Sequence, residues 1–241
     1  MLLALFCAPG IAQDERKVVS PDGQLEFRLG VAQPESGALS RLAYQLFYHG
    51  KPLIDTSYLG LNIHFQEPLL GENVGLTSSQ HSETSRFHSL TAAYMQNGSL
   101  ARRIDVEVRV ANDGVAFRYR VPISSPLMEL LLEDETTEFN LAREPVEPGG
   151  IDPNAYLTLP FVMRQPGGDW LAITEAGAGG YPKASLVRSE GTVLLTRLES
   201  RPRNPGIVFE GTPPLTCPWR VIIVGTSREH LMQAEILRSL N

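Results

Sequence analysis

The sequence predicts an all-β, antiparallel fold of the sandwich or barrel type. Nearly every periodic segment alternates apolar and polar residues with a period of two, which is typical of half-buried strands. The clearest case is residues 101–111, followed by a turn at Asn112-Asp113-Gly114 and a second alternating run over 115–121. These two runs predict an antiparallel hairpin. The 21 glycines and 18 prolines supply turn residues at regular spacing, as sandwiches and barrels require.

The remaining strands follow from the same pattern. Short alternating or apolar segments bounded by turn residues indicate strands. A hairpin-type turn at Asn97-Gly98 separates two of them. The predicted strands besides 115–121 are 23–31, 41–49, 58–65, 86–95, 101–111, 127–132, 136–141, 157–163, 169–175, 185–189, 192–198, 206–210 and 218–224.

Only the last part of the sequence has the pattern of a helix. Ser227 is suited to cap its start and Glu229 suits its first turn. The apolar face of the helix comprises Leu231, Ala234, Ile236, Leu237 and Leu240.

Residues 143–156 are predicted to form a proline- and glycine-rich loop, which is either a plain connection or a binding loop.

Length and charge exclude several classes of protein. The chain has 241 residues, of which 42% are hydrophobic, and this is enough for one large core. The net charge of -6 and the pI near 5.4 argue against nucleic acid or an anionic membrane as a partner. No stretch approaches the roughly 18 apolar residues that cross a membrane. We therefore predict one domain with neither kind of partner.

The first residues resemble the later part of a secretory signal peptide. An apolar stretch precedes a Pro-Gly break, and Gly10 and Ala12 are the small residues preferred before a cut at Gln13. The usual positive residues are missing, so the recorded start is truncated or misassigned, or the segment is an ordinary strand. After such a cut only Cys217 remains, and no intrachain disulfide can form. We predict a signal peptide over 1–12, a single domain over 13–241, and export to the periplasm or the medium.

The familiar catalytic signatures are absent. There is no G-x-S-x-G elbow, P-loop or H-E-x-x-H motif. The five histidines show no metal-ligand spacing and are interpreted as structural or solvated residues. The acidic run Glu133-Asp134-Glu135, with Glu138 beyond it, suggests either a cation site or, as we expect, a solvated strand edge. By motif alone the function stays open.

One carboxylate occupies an unusual position, at the end of the strand predicted over 169–175. Leu171, Ile173 and Glu175 point to the same side of that strand in β geometry. A loop of small residues, 176–180, follows at once. The simplest interpretation is that Glu175 caps this loop by accepting backbone N–H bonds.

Three stretches together resemble a known family. They are NDGVAFRYRVP (112–122), DWLAITEAGAGGYP (169–182) and TCPWRVIIVG (216–225). Their order and spacing are similar to those in the N-terminal domain of glycoside hydrolase family 97, a family of bacterial exo-acting α-glucosidases and α-galactosidases. Further segments that fit this domain are 20–29, 48–54, 57–63 and 231–241. The resemblance covers almost the whole chain after residue 12.

The resemblance implies a fold, a metal and a partner. The fold is a β-super-sandwich related to that of galactose mutarotase, packed in longer family members on a (β/α)8 barrel that carries the catalytic carboxylates. The metal is a calcium ion in the active site, held mainly by glutamates, of which this domain lends one. Glu175 is the position that matches this ligand, since a rigid strand end beside glycines suits a hard cation. Tyr181, past the glycine loop, is the candidate for contact with a sugar or with the barrel.

Other residues have plainer expected roles. Trp170 and Trp219 lie in apolar strands and are expected in the core rather than against sugars. Arg118 and Arg120 either pair with carboxylates across the sheet or line a solvated face. A domain that packs on a barrel should expose an apolar patch, which we expect near 176–182 and on the apolar face of the helix.

The sequence therefore predicts the N-terminal module of an exported family 97 α-glycosidase. Such a module shapes one wall of an active site for an α-linked glucoside or galactoside oligosaccharide. The barrel is not found within residues 1–241, so we expect the chain to be inactive alone and to hold calcium only when a barrel completes the site. The alternative is a free-standing carbohydrate-binding protein without chemistry. A mutarotase-type enzyme would need a paired His and Glu in a cleft, and no motif supports it.

Overall fold

A computed structural model describes residues 11, 13–99, 101–152, 155–177, 179–200, 204 and 206–240. The predicted signal peptide lies outside these residues except for Ile11, so the signal and its boundary stay predictions. Every pairing between the described strands is antiparallel. The elements are β1 (Gln13–Val19), β2 (Leu25–Ala32), β3 (Arg41–Tyr48), β4 (Lys51–Tyr58), β5 (Leu61–Ile63), β6 (Val74–Glu83), β7 (Phe87–Gln96), β8 (Arg103–Ala111), β9 (Gly114–Val121), β10 (Leu130–Glu135), β11 (Glu138–Asn140), β12 (Tyr156–Thr158), β13 (Phe161–Arg164), β14 (Trp170–Ala176), β15 (Ala184–Arg188), β16 (Val193–Leu198), β17 (Phe209–Gly211), β18 (Leu215–Thr216), β19 (Trp219–Gly225), α1 (Arg228–Met232) and α2 (Glu235–Arg238).

The described strands form four sheets. The largest has eight strands in the order β13-β14-β19-β9-β8-β7-β6, with β18 paired to β9 beside this path. Two sheets have four strands, β1-β2-β3-β4 and β11-β16-β15-β12, and a sheet of three has the order β17-β10-β5. The all-β antiparallel prediction is confirmed, as is the β8–β9 hairpin, in which Val110 pairs with Val115 and Ala111 with Gly114.

One large core fills the space between the sheets. Its centre is a group of rings from four strands, in which the Tyr44 and Phe117 centroids lie 4.9 Å apart and those of Phe27 and Tyr44 lie 5.3 Å apart. These three rings are fully buried. Aromatic rings at such separations pack favourably, and their burial contributes strongly to stability.

A second, smaller core covers the outer face of the eight-stranded sheet. Trp219, Val221 and Ile223 of β19 point to this face and pack with residues of α1 and α2, among them Leu231 and Ile236. The predicted helix is in fact two short helices, separated at residues 233–234. Its cap is confirmed, because the Ser227 hydroxyl accepts a hydrogen bond from the backbone N–H of His230.

The packing of these helices corrects one of the two parts of the expected exposed patch, the part on the apolar face of the helix. Leu231 and Ile236 are 2% and 0% exposed, and Leu240 packs against the same cluster. The apolar face of the helical segment is therefore covered by the domain's own sheet and is not free for a partner. No helix of the described residues has the length and apolar character needed to cross a bilayer.

Several strand boundaries differ from the predicted ones. The segment 157–163 contains two strands, β12 and β13, which are interrupted at Leu159-Pro160 because proline has no N–H for a sheet. The segment 58–65 begins at the last residue of β4 and includes β5. The ten-residue β6 has no counterpart among the predicted strands, since most of its residues are exposed and polar at the sheet edge.

Candidate functional site

Strand β14 positions Glu175 beside the buried guanidinium group of Arg220. Leu171 and Ile173 point into the core and are 0% and 1% exposed, and Glu175 continues the same side of the strand, as predicted. In the antiparallel pairing of β14 with β19, Glu175 lies directly opposite Arg220. An acid follows two apolar residues here because its cross-strand partner is a buried arginine.

The Arg220 guanidinium is shared between two carboxylates. Its Nη1 donates to Glu175 Oε2 at 2.6 Å, while its Nε and Nη2 donate to the two oxygens of Glu135, both at 2.7 Å. The Arg220 and Glu135 residues are 1% and 0% exposed. Burial acts to lower the pKa of Arg220, but the charge and hydrogen bonds of Glu135 outweigh it and raise this pKa above its usual value. The guanidinium therefore stays charged.

The remaining bonding capacity of Glu135 is used inside the core. The Thr137 hydroxyl donates to Oε1 at 2.7 Å, and the Tyr181 hydroxyl donates to Oε2 at 3.3 Å. The hydroxyls of Tyr119 and Thr137 lie 2.6 Å apart and extend the network. Protein groups therefore donate hydrogen bonds to both oxygens of this buried carboxylate, and such hydrogen bonds are the condition for keeping a charge in the interior.

The charges of this cluster do not balance. One guanidinium faces two carboxylates, so the group carries a net charge of about -1 when all three are ionised. Glu135 is sealed in the core, whereas the Glu175 side chain is 16% exposed. Among the described residues, the contact of Glu175 Oε1 is a long one, 3.4 Å, from the Ala184 N–H. The uncompensated negative charge is thus carried by Glu175, where solvent reaches it.

Glu175 opens onto a surface cleft. The cleft has a volume of about 740 Å³ and is lined by residues of β12, β14, β15 and β16 and their connections. Its rim carries the exposed Tyr156 ring and the charged Lys183 and Glu199 side chains. This volume is in the usual range for small-molecule sites, about 300–1,000 Å³.

The described residues that line this cleft include two carboxylates, Glu175 and the exposed Glu199 on the rim, and they do not offer a cation a complete shell. Calcium takes about six to eight oxygen ligands. No group of three or more His, Cys, Asp or Glu residues suited to a metal occurs in the described part of the chain. Glu175 nevertheless fits the role of a single ligand, because Oε2 is held by Arg220 while Oε1 is only weakly engaged. Further ligands would have to come from another domain or chain.

Comparison with protein families decides what kind of domain this is. The model of the glycosyl hydrolase 97 N-terminal family matches residues 18–147 and 144–241. The chain belongs to this family. A comparison with curated protein sequences found no match.

Solved structures share the fold of this family 97 domain. A glycoside hydrolase family 97 enzyme from Pseudoalteromonas sp. strain K8, in complex with acarbose, superposes with a TM-score of 0.78 at 20% identity over 94% of this chain. A variant of that enzyme in complex with panose gives the same values. A β-arabinopyranosidase gives a TM-score of 0.70 at 21% identity over 89% of this chain. The chain spans only 38% to 40% of the length of these enzymes.

The family 97 domain holds Tyr181 in its interior and not on its surface. The residue is 8% exposed, its ring lies 5.3 Å from that of Phe209, and its hydroxyl contacts Glu135. Burial, together with the nearby Cys217 and Glu135, raises the pKa of Tyr181 well above its usual value. The expected contact of Tyr181 with a sugar does not fit this placement. Its role is to support the carboxylate that holds Arg220.

The acidic run is not the uniform solvated edge that we expected. Glu133 contacts His64 and Asn62, and Asp134 pairs with Arg197 at 2.8 Å, but Glu135 is fully buried. A bulge between Leu132 and Asp134 in the pairing of β10 with β5 breaks the alternation. It turns Glu135 inward, where a regular strand would have placed Asp134.

The remaining candidates have structural roles in the domain. Trp219 is 3% exposed, as expected of a core residue, and Trp170 is half-buried against the same smaller core. The Arg118 guanidinium lies 4.2 Å from the Trp219 ring centroid. Arg118 and Arg120 both pair with Glu107 on the neighbouring strand, at 2.7 and 3.0 Å. The cross-strand pairing was one of the two expected alternatives.

The sequence-based predictions missed Arg220, although the sequence contains a signal for it. Strand β19 reads WRVIIVG, so that Arg220 is the single charge in an otherwise apolar segment. A lone charge in a strand buried on both faces indicates a buried partner of opposite sign. The partner itself, Glu135, had no comparable signal, because its inward direction depends on the bulge.

Proposed function

We propose that this domain forms one wall of the active site of an exported family 97 α-glycosidase and lends Glu175 to a calcium ion there. The observation that carries the proposal is the position of Glu175. It is fixed by Arg220, it opens onto a cleft, and its Oε1 is only weakly engaged by the described residues. A carboxylate held in this way is a preorganised ligand for a hard cation.

The catalytic partner in this proposal is a (β/α)8 barrel, joined in the same protein or supplied as a separate chain. The solved relatives are more than twice as long as this chain, which leaves room in them for such a domain. The substrate is an α-linked glucoside or galactoside oligosaccharide. The acarbose and panose complexes of the Pseudoalteromonas enzyme support the glucoside class. Export rests on the signal-like residues at the start of the sequence.

The chain's own residues orient the ligand and do not perform the chemistry. Arg220 fixes the direction of the Glu175 carboxylate, and Glu135 fixes Arg220 in turn through two parallel hydrogen bonds. When bound, calcium would supply a positive charge that polarises groups in the active site. The cleft beside Glu175 leaves space for a sugar next to the cation.

Substitution of Glu175 tests the proposal. Glu175→Gln in the chain combined with a family 97 barrel should lower calcium affinity by about tenfold or more, because the ligand charge is lost while the shape is kept. Hydrolysis of an aryl α-glucoside or α-galactoside should fall in parallel. Calcium affinity is measured by isothermal titration calorimetry, and turnover by release of the aryl alcohol. Glu190→Gln, which removes an exposed carboxylate that does not line the cleft, is the control and should change neither value by more than about twofold.

The structural role of Glu175 must be separated from its ligand role. In Glu175→Gln the side-chain amide oxygen still offers Arg220 an acceptor. The far-ultraviolet circular dichroism and the urea midpoint should therefore stay close to those of the unmodified chain. A variant with unchanged calcium affinity and unchanged turnover would return Glu175 to the role of loop cap.

A free-standing carbohydrate-binding protein is the second candidate, and one observation favours it. Tyr156 lies on the rim of the cleft with 71% of its surface exposed, and an exposed ring can stack on a sugar face. In that case the chain alone would bind panose, Tyr156→Ala would abolish the binding, and neither calcium nor a barrel would change it. Binding that requires the barrel supports the first proposal.

A further inference from the structure

An apolar patch lies on the surface where β5 ends and β10 begins. Phe65 follows β5 and is 89% exposed, and Met128 precedes β10 and is 95% exposed. Both side chains line an open recess of about 370 Å³, which shares no lining residue with the cleft at Glu175 in the described chain. The other apolar residues that line the recess are Pro126, Leu127 and Leu131. We name this surface the Phe65 patch.

The backbone of Phe65 has an unfavourable conformation. Its φ of 56° lies in the left-handed region, which a bulky side chain rarely adopts. The buried Arg102 fixes this segment, because its guanidinium donates to the Gln66 carbonyl at 2.9 Å and to the Pro68 carbonyl at 2.5 Å. An exposed ring returns little packing energy to the domain for this strain. Strained residues that the surrounding structure holds in place cluster at functional surfaces, which indicates that the ring has a partner outside the domain.

The Phe65 patch has the size of an interaction surface. Ile123, in the connection between β9 and β10, is a further large apolar side chain and is 78% exposed. At roughly 150 Å² for each side chain, Phe65, Met128 and Ile123 present about 450 Å² of apolar surface. Apolar patches of a few hundred Å² on single domains often mark the binding sites of other proteins.

The shape of the patch favours a second copy of this chain as the partner. Small-molecule sites enclose most of the ligand, whereas Phe65 and Met128 stand almost fully in solvent beside an open recess. A projecting ring next to an apolar recess is complementary to itself, because the ring of each copy can enter the recess of the other. Reciprocal contacts of this kind define a two-fold interface, the commonest type among protein oligomers.

We propose that the Phe65 patch is the interface of a reversible two-fold dimer of this chain. Phe65 of each copy packs against Leu127 and Met128 of the other, while the exposed Glu129 stays on the solvated rim. Interfaces that bury less than about 600 Å² on each partner are typical of weak complexes, and the patch is of this size. The expected dissociation constant is therefore about 10 to 100 μM. The dimer depends neither on Glu175 nor on a barrel.

Sedimentation velocity of the purified chain tests the proposal. As the concentration rises from about 1 to 300 μM, the weight-average mass should increase from that of one chain towards that of two, as mass action requires. A chain that stays monomeric over this range would overturn the proposal. Association that occurs only when a barrel is supplied would assign the patch to a different partner and would also overturn it.

Replacement of Phe65 separates an interface role from a role in the fold. Phe65→Asn should weaken dimerisation by at least about tenfold, because an aromatic anchor is lost. It should leave the melting temperature of the dilute monomer unchanged or raise it, since asparagine tolerates the left-handed conformation better. A variant that is less stable but dimerises as before would show that Phe65 serves only the fold, and the proposal would fail.

A matched control tests whether any exposed apolar residue would behave in the same way. Met232 is 72% exposed at the end of α1 and does not line the recess. Met232→Ser should leave the dissociation constant unchanged, whereas Met128→Ser should raise it by at least about fivefold. Equal effects of these two variants would indicate nonspecific hydrophobic association and would refute the assignment.

Two charge variants test the two-fold symmetry. Met128→Lys and Met128→Glu should each dimerise at least about tenfold more weakly than the unmodified chain, because a two-fold interface brings like charges together. An equimolar mixture of the two variants should associate at least about tenfold more tightly than either alone, since opposite charges then meet. If the mixture associates no more tightly than the single variants, the copies do not meet through this patch.

Discussion

Replacement of Arg220 by methionine is the most informative perturbation of the fold. Arg220 is 1% exposed and makes three hydrogen bonds to carboxylates, two with Glu135 and one with Glu175. In Arg220→Met the fully buried Glu135 loses the one ion-pair partner that the described residues give it. Removing one member of a buried pair typically costs about 3 to 5 kcal/mol, because the other charge stays in the interior uncompensated.

This loss is large compared with the stability of a typical domain, about 5 to 15 kcal/mol. Urea unfolding followed by tryptophan fluorescence and circular dichroism measures it. With an m-value of about 2 kcal/mol per molar, the midpoint should fall by roughly 1.5 to 2.5 M. A decrease below about 1 kcal/mol would refute the reasoning that the guanidinium neutralises a buried charge.

A second substitution identifies the cause of the loss. Glu135→Gln added to Arg220→Met removes the uncompensated charge, while its amide oxygen accepts from one of the Thr137 and Tyr181 hydroxyls and its NH2 group donates to the oxygen of the other. The double variant should therefore be more stable than Arg220→Met alone. If it is less stable, the loss comes from packing and not from charge.

Two further predictions concern groups packed on or beside β19. Burial raises the pKa of the Cys217 thiol to about 12, so the native thiol stays protonated at pH values where the unfolded thiol, above about pH 8.5, ionises. The free energy of unfolding should therefore fall as pH rises from about 8.5 to 12, by up to about 1.4 kcal/mol per pH unit. In urea titrations at several pH values, Cys217→Ala should flatten this slope. Ile236→Ala should destabilise the domain by about 2 to 4 kcal/mol in the same assay, because Ile236 is fully buried between α2 and the sheet. Met232→Ala, at a position 72% exposed, is the control and should change the free energy of unfolding by less than about 0.5 kcal/mol. Equal effects of the two variants would contradict the packing of the helices on the sheet.

The sequence was sufficient to predict strands in which apolar side chains alternate regularly with polar ones. The β8–β9 hairpin was predicted nearly to the residue because its apolar side chains alternate and its turn contains glycine. Strand β6 was not predicted, because an edge strand with one side in water and few apolar residues has little periodicity to detect. Neither pattern nor composition revealed the order of strands within the sheets, which depends on contacts between distant segments.

Part of the candidate site was predictable from the same alternation of side chains. The direction of Glu175 followed from the period of β14, and the family resemblance supplied its proposed role. Its partner Arg220 lies 45 residues away and becomes its neighbour only through the register of β14 with β19. The inward direction of Glu135 depends on a bulge, and the location of a bulge is not encoded in a simple alternation.

The position of β19 has a consequence for how the domain folds. This strand pairs with β14 on one side and with β9 on the other, and its residues are almost all buried. It is also the last strand of the described chain to be synthesised, so β9 and β14 cannot be joined until the ribosome has passed Gly225. Pairings between such distant segments close slowly, and the unpaired edges of β9 and β14 are exposed to other chains meanwhile. In a pulse-labelling hydrogen-exchange experiment the amides of β19 should therefore gain protection late during refolding, even though they should be among the slowest to exchange in the native state.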